Sequence, residues 1–121
     1  MVDGAIDLAD LRQVIAEFLA RAGAEFGILF GSRARGDHLL GSDVDLVVVG
    51  RVFAGVAWLD RLCALHELWP PPLALEVLAY TPVEWRRRLP TSGVLQDALR
   101  DGIRIEPEEP RRAGPCTRRE G

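Results

Sequence analysis

Two apolar runs, FGILF and DLVVVG, enclose a loop of Gly, Ser and Arg within residues 26–50. The second run is the strongest constraint on the fold. Leu46, Val47, Val48 and Val49 follow one another with no polar alternation, the pattern of a strand buried on both faces. A sheet containing that strand needs flanking helices to cover it. The same run is entered through two aspartates, Asp43 and Asp45. Residues two apart in a strand share a face, so these carboxylates stand side by side. Like charges that close repel, and water screens them poorly where a strand enters a core. A positive group is therefore expected between them.

The rest of the chain supplies the covering elements. Residues 8–21 carry Leu8, Leu11, Val14, Ile15, Phe18 and Leu19 at helical spacing, with Asp7 as N-cap and Gly23 as stop. A second helical stripe, Trp58, Leu59, Leu62, Leu65 and Trp69, ends at Pro70, Pro71 and Pro72. LALEVLAY reads as a third strand. Thr81, Pro82 and Glu84 form a capping box with Pro at N1, which opens a short helix through WRRRL. A helix over residues 92–101 closes on Gly102, and IRIE adds a last short strand. This order predicts an α/β (α+β) domain, a small mixed sheet with flanking helices, over residues 1–106. Residues 107–121, rich in Pro, Arg and Glu, lack the apolar side chains to offset the cost of ordering and are predicted to be a disordered tail.

Composition removes several function classes. The chain has 121 residues, enough for one domain with one core. No apolar run is long enough to span a bilayer, and the acidic, amphipathic start is unlike a signal peptide, so a cytoplasmic location with no membrane partner is expected. The net charge of −3 argues against nucleic acid as a partner. All 15 basic residues are Arg, a bias read as genomic or heat-adapted. Cys63 and Cys116 have no metal-ligand or disulfide spacing, and Cys63 is expected to be a small buried side chain.

Three features converge on chemistry. Asp43 and Asp45 share a face. Glu76 is the one charge in LALEVLAY, and a carboxylate in a core strand is costly unless paired, protonated or bound to a cation. Gly31 and Ser32 form a turn at a strand end, followed by a stretch that can start a short helix. Its unpaired N–H groups, the Ser32 hydroxyl, and Arg33 and Arg35 are suited to phosphate. Three carboxylates beside a phosphate cradle describe a Mg²⁺-dependent site for phosphoryl or nucleotidyl transfer, since Mg²⁺ prefers oxygen ligands and two such ions can clamp an in-line displacement.

Gly-Ser, ten intervening residues, then Asp-Val-Asp resembles the signature of the nucleotidyltransferase superfamily that includes DNA polymerase beta. The local form GSRARG…SDVDLVVV is similar to the minimal nucleotidyltransferases (MNT proteins). The resemblance spans residues 7–106 and is strongest over residues 31–49. It implies a polymerase-beta-like nucleotidyltransferase fold. Gly31 would permit the tight turn, and Ser32 would contact the nucleotide phosphates. Asp43 and Asp45 would ligate both metals. Glu76 would be the third carboxylate, binding the catalytic metal and helping to deprotonate the acceptor hydroxyl. The implied substrate is a nucleoside triphosphate, most often ATP. The implied partner is a HEPN-domain protein, which MNT antitoxins can adenylylate on a tyrosine, in a hetero-oligomer.

Other readings of the same residues stand beside this one. The chain could be a non-catalytic antitoxin that occludes a HEPN toxin, or a nucleotidyltransferase acting on a small molecule such as an antibiotic. Glu76 could instead pair with Arg33 or Arg35. His38 reads as a loop residue, and His66 as a helix-surface or satisfied core histidine. The run Arg86-Arg87-Arg88 reads as a solvated helix face or a partner patch. Trp58, Trp69 and Trp85 read as packing residues.

Overall fold

The computed structural model describes residues 6–36 and 43–109. The uninterrupted apolar run becomes β2 (Val44–Val49), an inner strand of a four-stranded sheet. In the order β3-β2-β1-β4 it lies between β1 (Phe26–Phe30) and β3 (Leu75–Tyr80), with β4 (Ile103–Ile105) at the far edge. β1 pairs antiparallel with both β2 and β4, whereas β2 and β3 run parallel. A parallel neighbour requires a crossover, provided here by helix α3 (Trp58–Leu68).

Burial on both faces follows as the sequence requires. On one face Leu29, Leu46, Val48, Val77 and Ala79 pack with Ile15, Phe18 and Leu19 of α1 (Leu8–Ala22) and with Leu65 of α3. Phe18 meets Trp69 edge-on at 5.0 Å. On the other face Ile28, Val47, Val49 and Tyr80 pack with Trp85 of α4 (Pro82–Arg88) and with Leu95 and Ala98 of α5 (Gly93–Asp101). The capping box is present: Glu84 N–H donates to Thr81 Oγ1 at 3.1 Å, and Thr81 N–H donates to Glu84 Oε1 at 3.0 Å. A cap of this kind contributes about 1 kcal/mol. Asp7 caps α1 through Asp10 N–H, and Gly23 closes it in the left-handed conformation.

Helix α3 departs from the expected stripe. Leu59 is exposed, and so is Cys63, which corrects its reading as a buried residue. The inward position is taken by Arg61, only 7% exposed. The buried charge is tolerated because its donors are used: Nε to Val56 O at 2.8 Å, Nη1 to Ala79 O at 3.1 Å, and both Nη atoms on Glu84 at 2.6 and 3.1 Å. Helical periodicity registers only side-chain polarity, so it had no means of placing a paired arginine inside.

Past β4 the chain stays beside α1, where Glu108 N–H donates to Ala16 O at 2.9 Å. Residues 110–121 of the tail, and His38 of the loop, lie outside the described residues. Among the described residues no helix is long and apolar enough to cross a membrane.

Candidate active site

The site begins where β1 ends. Gly31 has φ 79° and ψ −158°, a conformation essentially closed to residues with a Cβ. A Cβ there would also overlap the Oδ2 atom of Asp45. Gly31 therefore provides the sharp exit from the strand and the space that Asp45 occupies. The chain then makes one turn of helix, α2 (Ser32–Arg35), whose first intrahelical bonds are donated by Ala34 and Arg35 to Gly31 O at 3.1 Å. The N–H groups of Ser32 and Arg33 precede those bonds, as the first N–H groups of any helix do.

The register brings the carboxylates together. Asp45 on β2 is opposite Phe30 on β1 and opposite Glu76 on the parallel strand β3. In-register residues of adjacent strands share a face and lie about 5 Å apart. Asp43, two residues earlier and exposed, stands at the entrance to the strand. Asp45 is raised above the ordinary carboxylate range, first by burial, then by the charge of Glu76, the charge of Asp43 and a hydrogen bond with the Glu76 side chain. Arg35 opposes these effects without outweighing them. Arg35 is thus a positive neighbour of Asp45; a group between Asp43 and Asp45 is left to a bound cation. Arg33 is 3% exposed and turned into the protein.

Two cavities border this cluster. One, of about 590 Å³, is lined by Asp45 and Glu76 together with apolar side chains that include Phe30, Leu78 and Val94. The other, of about 300 Å³, is lined by Gly31 and Arg35 from the turn and by Asp97, Arg100 and Asp101 from α5. Phe30 and Val94 line both. The contribution of α5 could not be anticipated, because no sequence motif marks the side of the sheet on which a late helix will pack. His66 also reaches the larger cavity, with its ring nitrogens 2.8 Å from Leu62 O and 3.1 Å from Leu75 O.

Residues 11–106 match the nucleotidyltransferase domain family, an interval that contains every candidate site residue. The chain belongs to that family. Among solved structures, a Sulfolobus solfataricus protein provisionally named a nucleotidyltransferase is similar over 64% of this chain and 68% of its own, at 24% identity and a TM-score of 0.48. No curated protein matches the chain.

Nucleotidyltransferase domains generally use a nucleoside triphosphate and a divalent metal. In this nucleotidyltransferase domain the donor chemistry fits such an ion. Asp43, Asp45 and Glu76 offer only carboxylate oxygens, the ligand type that Mg²⁺ prefers. Burial first, and then the charges of Glu76 and Asp43, raise the affinity of Asp45 for its proton, and a cation would relieve the repulsive part. The fit is one of donor type: among the described residues no three His, Cys, Asp or Glu side chains are grouped closely enough to hold a metal ion as they stand.

Proposed function

We propose that this nucleotidyltransferase domain is Mg²⁺-dependent, uses ATP, and transfers AMP to a hydroxyl on a partner protein. The observation that carries the reading is the in-register pair Asp45 and Glu76, with Gly31 packed against Asp45 in a conformation reserved for glycine. Bound Mg²⁺ would neutralise the phosphate charge and polarise the phosphorus–oxygen bonds. Asp43, Asp45 and Glu76 are the residues that would hold it.

The remaining roles belong to the chain itself. Ser32 and the start of α2, with the Arg35 charge beside them, are suited to the triphosphate. The acceptor oxygen forms a bond to the α-phosphorus. The bond from that phosphorus to the bridging oxygen of the β-phosphate breaks, and pyrophosphate leaves. The acceptor's proton passes to a carboxylate of the cluster, for which Glu76 is suited as an exposed member bordering the apolar cavity.

Support for a protein acceptor comes from that cavity. Beside the carboxylates Asp45 and Glu76, Phe30, Leu78 and Val94 offer walls for an apolar or aromatic carrier. With the MNT-like motif, this favours a HEPN-type partner carrying the acceptor.

The deciding experiment is calorimetric titration of Mg·ATP into the wild type and into Asp43→Asn/Asp45→Asn. Metal-dependent binding that the double variant loses supports the reading, and incubation with labelled ATP then identifies the acceptor. A folded wild type that binds no Mg·ATP would overturn it in favour of neutralisation by occlusion alone.

A further inference from the structure

The far end of the sheet carries a second feature, independent of the proposed reaction. Four residues along β3 from Glu76, about 13 Å away at ~3.3 Å per residue, the strand ends at Tyr80. There a groove of about 450 Å³ is lined by Trp58, Arg61, Tyr80, Glu84, Arg87 and Arg88. Trp58 leans on Tyr80 with ring centroids 5.5 Å apart, yet remains 39% exposed. Leu59 and Val83, also exposed, follow Trp58 on α3 and open α4.

The charge of this groove is unbalanced. Glu84 is already taken by Arg61 and by Thr81 N–H. Arg87 and Arg88 have no ion pair among the described residues, although the charge of Arg88 also bears on Glu84. The neighbouring Arg86 lines a different hollow with Glu25 and Arg51. Basic residues in a last helical turn favour the helix dipole, but that effect fades within the turn and does not call for three. A chain of net charge −3 has thus gathered three arginines and one glutamate beside an exposed indole.

We infer that this groove docks an acidic segment of a partner protein, with an aromatic side chain against Trp58 and Tyr80 and carboxylates on Arg87 and Arg88. Exposed Trp with Arg at an apolar patch is the composition of protein interfaces and of their strongest contacts. A nucleic acid fits less well, since beyond the paired Arg61 the groove offers Arg87 and Arg88, not a basic track along a phosphate backbone. The chain's own residues 110–121 carry four arginines against one glutamate and do not complement the groove.

The test is titration of the full chain with a random copolymer of glutamate and tyrosine, with polyglutamate and single-stranded DNA as comparison polyanions. The copolymer is expected to bind the wild type more tightly than either. Arg87→Glu/Arg88→Glu is expected to weaken it about tenfold or more, and Trp58→Ala to remove its advantage over polyglutamate. Asp45→Asn is expected to bind it as the wild type does, which separates this groove from the reaction site. Circular dichroism identifies any variant that fails to fold, and Arg87→Ser/Arg88→Ser then replaces it. No binding by the folded wild type, or binding unchanged by loss of both arginines, would overturn the inference. Tighter binding of DNA than of the copolymer would overturn it by assigning the groove to nucleic acid.

Discussion

Gly31 and Asp45 constrain each other, and that mutual constraint gives the sharpest residue-scale prediction. Gly31→Ala forces a Cβ into backbone angles that disfavour it and against the Asp45 carboxyl. It is expected to cost about 1–3 kcal/mol in urea denaturation and to abolish Mg·ATP binding, because Asp45 must move. Unchanged binding would show that Gly31 does not fix Asp45. The charge on Asp45 makes a second prediction. Its pKa is raised on folding, so the native state holds this proton more tightly than the unfolded chain. Ionisation therefore costs stability, and the cost appears as pH rises from the ordinary carboxylate range through the raised value. Asp45→Asn should melt above the wild type at neutral pH, with the two converging in acid. A variant less stable than the wild type at neutral pH would remove the carboxylate repulsion from the account. The identities and spacing of these residues are legible in the sequence. Their contact is not, because it depends on the Phe30↔Asp45 register across a ten-residue interval with no geometric signal of its own.

Capping and burial act together where α3, β3 and α4 meet. Val44 N–H bonds Ala74 O and Gly50 N–H bonds Tyr80 O, so the even-numbered residues of β3 turn their backbone towards β2 and the odd-numbered ones face outward. Two outward carbonyls are engaged from α3: Ala79 O accepts from Arg61, and Leu75 O lies 3.1 Å from His66 Nε2. Side chains from the crossover helix thus blunt an edge that would otherwise invite another strand. Glu84 joins this arrangement to the capping box. The Arg61 guanidinium and Thr81 N–H hold its carboxyl down to about 2 from the ordinary 4.5. A depressed carboxylate contributes stability above its unfolded pKa and loses it as pH falls through the folded value, so this contribution fades between about 4.5 and about 2. Glu84→Ala leaves Arg61 buried without its ion-pair partner. It is expected to cost about 1–3 kcal/mol at neutral pH, discounted for the partial exposure of Glu84. Glu84→Gln, which keeps a cap acceptor, should cost less. Equal losses would mean that the ion pair, which both variants remove, carries the effect and the cap does not. The capping box was legible because it is local in sequence. Arg61 was not, because its partners lie on three other segments.

At the scale of the whole molecule, the parallel pair β2 and β3 separates charge along its length. Asp43, Asp45 and Glu76 gather where these strands begin, and Arg61 with Arg86, Arg87 and Arg88 where they end. A net charge of −3 conceals that separation, since composition sums what the fold segregates. Ligands that act at one end should therefore leave the other unaffected. On the proposed function Mg·ATP would bind the folded chain and not the unfolded one, so at a hundredfold excess over Kd it should add about 2.7 kcal/mol. For a domain of this size that is a rise in Tm of roughly 10 °C. The rise should disappear on chelation with EDTA and in Asp43→Asn/Asp45→Asn, yet persist in Arg87→Glu/Arg88→Glu. Differential scanning calorimetry of the three proteins reads this directly. Equal loss of the shift in both double variants would mean that the two ends are coupled through the sheet. A shift kept by the aspartate variant would move the nucleotide away from β2 altogether.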